Sequence, residues 1–211
     1  MSRGSILIIV AGINTEVGKT VVSTILVEAL GGCYWKPVQC GLPGDPAWVQ
    51  ERLSSPSRCY PSAFSLGTPC SPHLAARKEG VRIFASHLIP PACSLPLIIE
   101  GTGGLLSPLN DTETWADAAA HWKARWVLVH RHYLGSLNHF ALTIESMRNR
   151  KLPLLGVIFN GKGDLETEEM LLKKAETRCL GRLAWQEQLT PKTVQEIAKE
   201  WRPSLLTALG F

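Results

Sequence analysis

Six short apolar runs punctuate the chain, at residues 6–10, 34–38, 95–99, 126–130, 154–159 and 180–184. Most are continuous rather than alternating, the pattern a strand needs when both of its faces are covered. The stretches between them predict helices over 19–30, 45–53, 112–123, 136–150, 166–177 and 191–199. Asp111 or Thr112 is placed to cap the third helix and Ser136 the fourth. Thr190-Pro191 opens the last, with proline in its first turn, and Trp201-Arg202-Pro203 is expected to interrupt it. Alternating strands and helices predict an α/β fold: an open, mostly parallel central sheet with helices on both faces. The span 41–96 is the least regular and holds nine of the 14 prolines, so it reads as a substrate loop rather than a second domain. Residues 1–211 are therefore expected to form one domain.

Composition narrows the classes of function. With 45% hydrophobic and 19% charged residues, the chain can bury a core and is not disordered. The formal net charge of +4 comes from scattered basic residues. The cluster Arg148, Arg150 and Lys151 reads as a solvated helix end, so no nucleic-acid partner is expected. Six cysteines without a Cys-x-x-Cys pair suit reduced thiols. No stretch is long enough to span a bilayer. The apolar core near the start is short for a leader and runs into Asn14-Thr15-Glu16. These features predict a soluble cytoplasmic protein with no membrane partner.

The first strand runs directly into Gly12-Ile13-Asn14-Thr15-Glu16-Val17-Gly18-Lys19-Thr20. A strand, a glycine-bounded loop and Gly-Lys-Thr opening a helix form the layout of a phosphate-binding loop. Polyphosphate needs converging backbone N–H groups, a lysine for the terminal phosphates and a hydroxyl for Mg²⁺. Five residues separate Gly12 from Gly18, one more than in the usual signature.

In an open parallel sheet the ligand lies at the carboxyl ends of the strands, and there the polar residues form a chemical set. Lys36-Pro37-Val38-Gln39-Cys40-Gly41 closes the second apolar run. The third ends in Glu100, followed by Gly101-Thr102-Gly103-Gly104, which resembles the acidic element that holds Mg²⁺ in phosphate-loop enzymes. After the fourth come His130 and His132, two apart on one strand face, where a metal reading lacks a third ligand. Gly135 to Asn138 then open a helix whose free N–H groups form a candidate carboxylate site. Asn160 follows the fifth run, either as a reader of a base edge or as part of an Asn-Gly turn.

Taken in order, these motifs resemble the dethiobiotin synthetase family. The resemblance rests on Gly12-x-x-Thr15-Glu16-Val17-Gly18-Lys19-Thr20, Lys36-Pro37-Val38, Ser71-Pro72-His73, Glu100-Gly101-x-Gly103-Gly104, Leu134-Gly135-x-x-Asn138-His139 and Asn160. The family's phosphate loop carries the same extra residue. The resemblance implies a phosphate-loop NTPase fold and an ATP- and Mg²⁺-dependent ligase that builds the ureido ring of dethiobiotin from 7,8-diaminopelargonate and CO₂. By the same resemblance Lys19 and Lys36 are catalytic, and Thr20, Asp45 and Glu100 hold Mg²⁺. Thr15, Glu16, Val17, Gly18, Lys19 and Thr20 contact the nucleotide, whose base Asn160 reads. Thr15, Lys36, Cys40 and Gly103 line the diamine pocket, and Gly135, Ser136 and Asn138 hold the substrate carboxylate from the neighbouring subunit of a homodimer. Three positions depart from the family: Cys40 replaces a small hydroxyl residue, Thr102 replaces a smaller one, and Ala184-Trp185 stands where Pro-Trp is common.

Two other readings compete. A deviant-Walker partitioning ATPase requires a second lysine where Ile13 stands. A nucleotide-binding module that has lost catalysis would not need Lys19, Thr20, Lys36 and Glu100 together.

Overall fold

Strand β1 (Leu7–Gly12) is buried from Ile8 onward because it has a parallel neighbour on each side. In the computed structural model, which describes residues 6–55 and 58–211, it is the middle strand of a seven-stranded sheet. The reading of residues 1–5 as no part of a leader lies outside these described residues. β2 (Cys33–Trp35), β4 (Cys59–Tyr60) and β6 (Leu97–Glu100) lie on one side of β1. β7 (Arg125–Arg131), β8 (Leu154–Asn160) and β9 (Cys179–Leu183) lie on the other. The order is β4-β2-β6-β1-β7-β8-β9 and every pairing is parallel. Ile8, Ile9, Val10 and Ala11 are all shielded from solvent, so both faces of the sheet are covered. That is why the strand sequences run apolar without alternation.

Helix α1 (Lys19–Leu30) packs against α7 (Pro191–Leu209) and β6, while α5 (Ser136–Asn149) packs against α6 (Leu165–Ala175) and β7. The α/β fold with a mostly parallel sheet agrees with the sequence expectation. The apolar run at 34–38 does not form one strand. It divides at Lys36-Pro37 into β2 and β3 (Val38–Cys40), because Pro37 offers no N–H to continue the ladder. β3 instead pairs with β5 (Phe64–Leu66) in a separate two-stranded parallel sheet.

The irregular span also contains α2 (Asp45–Gln50) and α3 (Pro72–Lys78), both with proline in the first turn. The third expected helix shrinks to α4 (Trp115–Ala119) and a 3₁₀ turn at Ala120–Trp122. Its cap is Thr114 rather than Asp111 or Thr112, because Thr114 and Asp117 form a reciprocal capping box. Ser136 is the first residue of α5 and not its cap; Gly135, in the left-handed region at φ 92°, precedes it. Helix α7 runs through Pro203 to Leu209 instead of ending there. Trp201 and Leu205 are buried on either side of the proline, and their packing offsets the lost backbone bond. No described helix is long and apolar enough to cross a membrane.

Candidate active site

The loop from Gly12 to Gly18 can turn from strand to helix only with glycine at both ends. A Cβ at Gly12 would lie 2.6 Å from Val17 Cγ2 and 2.7 Å from the Asn14 carbonyl oxygen. Gly18 adopts φ 94° and caps α1 without a side-chain acceptor, so the first N–H groups of the helix face an incoming anion. The loop is held on three sides. Lys19 Nζ donates to the Asn14 carbonyl at 3.1 Å, Arg131 Nη1 to the Glu16 carbonyl at 3.1 Å, and Asn160 Nδ2 to the Val17 carbonyl at 2.8 Å. Burial lowers the pKa of Lys19 to about 8; Glu100 acts against that shift and Lys36 adds to it.

Beside the loop, four elements deliver one charged cluster. Glu100, at the end of β6, is 1% exposed and satisfied by three donors. Thr20 Oγ1 and Lys36 Nζ donate to its Oε1 at 2.9 and 3.1 Å, and Tyr34 Oη donates to its Oε2 at 2.7 Å. Lys36 also forms an ion pair with Asp45 at the start of α2. Burial alone would lower the Lys36 pKa, but Glu100 and Asp45 outweigh it and hold the ammonium above the ordinary lysine value. Burial, and then the Glu100 charge, push the Tyr34 phenol well above its usual range. Gln39 fixes Asp45 from the other side: its Oε1 accepts from the Asp45 backbone N–H at 3.1 Å, while its Nε2 donates to the carbonyls of Cys40 and Gly41.

A cavity of about 820 Å³ opens over this cluster. Of the residues singled out from sequence it brings together Thr15, Glu16, Gly18, Lys19, Thr20, Lys36, Cys40, Asp45, Glu100 and Gly103. Val17 is buried within the loop, and Asn160 touches the loop without lining the cavity. Gly135, Ser136 and Asn138 open α5 and do not line it either.

A family model described as an AAA domain matches residues 7–193. The ATP-dependent dethiobiotin synthetase BioD of Brucella ovis is 46% identical over 188 residues, which is 88% of this chain and 89% of that protein. Its counterpart from Brucella abortus strain 2308 is 45% identical over the same shares. The chain belongs to the dethiobiotin synthetase family.

Solved structures of more distant proteins share the architecture of this dethiobiotin synthetase family member. A ParA family ATPase from Chlorobium tepidum superposes with a TM-score of 0.60 at 12% identity, covering 95% of this chain and 98% of that one. A plasmid partition protein from Borrelia burgdorferi gives 0.61 at 12% identity, covering 98% of each. At that identity the likeness is one of fold alone. The partitioning reading is not favoured: Ile13, where a second lysine would be required, is a buried core residue.

Around the cavity lie further residues whose contacts the sequence did not signal. Tyr34 lies inside an apolar run and reads as core until packing brings its hydroxyl to Glu100. Gln39, Asn14 and Arg131 act through backbone carbonyls and N–H groups, which leave no side-chain signature. Cys70 and Ser107 enter the cavity from the irregular span and from the loop after β6. The His130–His132 pair gains no third metal ligand among the described residues. Among the described residues no group of three or more His, Cys, Asp or Glu side chains could hold a metal by itself. A divalent ion at the cavity would depend on oxygen from the nucleotide and water as well. The Thr20 hydroxyl and the Asp45 and Glu100 carboxylates are hard donors that fit Mg²⁺ in that way, and the Lys36 ammonium between the two carboxylates marks a place that favours positive charge.

Proposed function

We propose that this chain, read as one domain over residues 1–211, catalyses ATP-dependent closure of the ureido ring of dethiobiotin from 7,8-diaminopelargonate and CO₂, a step of biotin biosynthesis. One amine of the diamine adds to CO₂ to give a carbamate. A carbamate oxygen attacks the γ-phosphorus of ATP and ADP leaves. The second amine then attacks the carbonyl of the carbamic–phosphoric anhydride, phosphate departs and the ring closes.

The observation that carries this reading is the buried ammonium of Lys36, set between Glu100 and Asp45 in the same cavity as Lys19. The reaction needs little covalent help from the protein; it needs charge neutralisation and placement. Lys19, with the N–H groups of the loop at Thr15, Glu16, Val17, Gly18 and Thr20, binds the β- and γ-phosphates. Lys36 neutralises the carbamate and the transferring phosphoryl group. Glu100 and Asp45 hold Lys36 in place, and with Thr20 they would bind Mg²⁺, which supplies further neutralisation of phosphate charge. Thr15, Cys40 and Gly103 shape the diamine pocket. Burial, followed by Cys70, raises the Cys40 pKa to about 11, so Cys40 stays a neutral thiol and a weak donor where the family commonly has a hydroxyl. Asn160 combines its contact to the loop with recognition of the base.

We read the working form as a cytoplasmic homodimer. Gly135, Ser136 and Asn138 lie away from the cavity of their own chain, and the preceding Leu134 is fully exposed. Both facts suit a substrate carboxylate held by the second copy. The test is incubation of purified protein with diaminopelargonate, bicarbonate, Mg²⁺ and ATP, with mass detection of dethiobiotin. Bound nucleotide without product would overturn the ligase reading in favour of an interaction module.

A further inference from the structure

Two thiols meet outside the cavity that holds the catalytic cluster. Cys33 begins β2 and is buried, whereas Cys93 lies partly exposed in the irregular segment before β6. Their sulfur atoms are 3.2 Å apart, although the residues are 60 positions apart in sequence. Two hydrogen bonds hold the neighbouring chain close: the Cys33 N–H donates to the Pro96 carbonyl at 2.7 Å, and Tyr60 Oη donates to the Ala92 carbonyl at 3.2 Å. Neither cysteine lines the active cavity.

We propose that Cys33 and Cys93 are a modification site, a dithiol that a hydroperoxide converts to a disulfide. The more accessible Cys93 sulfur attacks the peroxide oxygen, breaking the O–O bond and giving a sulfenic acid and water (an alcohol from an organic peroxide). The Cys33 sulfur then displaces hydroxide from that sulfenic sulfur, the S–S bond forms, and the thiol proton leaves with the hydroxide as water. The two sulfurs lose two electrons and the peroxide gains them. The remaining approach to bonding distance is short, and Cys93 lies in a segment without regular structure that can supply it. Burial and the neighbouring Cys93 raise the Cys33 pKa to about 11, so Cys33 reacts as the resolving thiol and not as the first one attacked.

Cys59 is the rival for either partner. It lies on β4 beside β2, with Tyr34 as its register neighbour. The bridge from Cys33 to Cys93 ties the start of β2 to the approach to β6 and encloses β3, α2, β4, β5 and α3 in one covalent loop. Such a loop restricts the unfolded chain and raises the melting temperature.

The experiment treats the intact protein with hydrogen peroxide and maps its peptides without reduction. The expected result is a Cys33–Cys93 cross-linked peptide, a mass loss of two hydrogen atoms, a Tm rise of several degrees and full reversal by dithiothreitol. Cys33→Ser and Cys93→Ser should each abolish the cross-link and the Tm rise, whereas Cys59→Ser should keep both. Dethiobiotin formation by unoxidised Cys33→Ser and Cys93→Ser should equal that of the parent protein. A Cys59 bridge to either partner, or sulfinic acid at Cys93 without a bridge, overturns the proposal. Because the peptide map is read on the unaltered chain, the test stands even where a serine variant folds poorly.

Discussion

Asn160 Nδ2 donates to the Val17 carbonyl at 2.8 Å, tying the end of β8 to the phosphate loop that follows β1. A Cβ on Gly18 would lie 2.3 Å from the same Nδ2, so the amide packs directly on the loop. With Val17 and Glu16 carbonyls engaged from outside, the loop N–H groups are left to face a phosphate. Removing the amide should therefore loosen nucleotide binding before it affects chemistry. Asn160→Ala is expected to raise the KM for ATP about fivefold, the value of one hydrogen bond of roughly 1 kcal/mol. It should also narrow the preference for ATP over CTP. Steady-state kinetics with both nucleotides decides the second point: an equal loss for each would leave Asn160 as a clamp on the loop with no part in reading the base.

Lys36 is the group whose removal should hurt turnover most. Lys36→Ala leaves Glu100 and Asp45 without their shared ammonium and the transferring phosphoryl group without a positive neighbour. Turnover should fall by on the order of 10²–10³, with the KM for ATP changed far less. The rate of dethiobiotin formation at saturating ATP gives the answer, and an unchanged rate would reduce Lys36 to a structural cation.

Tyr34 supports the same carboxylate from the core. Tyr34→Phe removes the donor to Glu100 Oε2 without opening a large cavity. A hydrogen bond to a charged group contributes about 1.5–3 kcal/mol, so the midpoint of urea unfolding should drop accordingly. Turnover should decline less than for Lys36→Ala, since Thr20 and Lys36 still fix Oε1. A stability equal to that of the parent protein would mean that water replaces the phenol at no cost.

The sheet and the phosphate loop were legible in the sequence because their signals are local. Continuous apolar runs mark covered strands, and Gly18-Lys19-Thr20 marks the loop wherever it folds. Helix α1 was predicted over its observed range, Lys19–Leu30. Signals that depend on partners were not legible. Pro37 breaks the second run into strands of two different sheets, which an apolar pattern alone cannot convey. Pro203 looked like a helix stop, yet burial of Trp201 and Leu205 carries α7 past it. In the site, charged side chains after strands were visible, whereas Tyr34 and Gln39 gain their roles only from the atoms packed against them.

The two-subunit reading makes a quantitative prediction. Lys19→Ala disables the phosphate site of its own chain, and Asn138→Ala disables the carboxylate site that the chain offers to its partner. A heterodimer of the two variants then has one site with both defects and one with neither. After unfolding and refolding of an equal mixture, about a quarter of the parent activity should return, because half the dimers carry one intact site. Each variant refolded alone should stay near zero. No recovery, with heterodimers verified by native mass spectrometry, would confine the whole site to one chain.

His130 makes stability depend on pH. Its ring is fully buried between His132, Phe140 and Phe159, and neither ring nitrogen has a hydrogen-bond partner among the described residues. Burial, then the neighbouring His132, lowers its pKa to about 4, whereas His132 has Glu168 at 3.1 Å as a partner of its own. An unfolded histidine titrates near 6.5, so between about 6.5 and 4 the unfolded chain takes up a proton that the native chain refuses. This contribution is complete above the unfolded pKa and declines as the pH falls toward 4. From pH 7 to pH 5 the native state should lose on the order of 2 kcal/mol through this residue. His130→Phe places an apolar ring among apolar rings and removes the titrating group. Urea unfolding at both pH values should then show a clearly smaller acid loss in the variant than in the parent protein. Equal losses would place the acid sensitivity elsewhere.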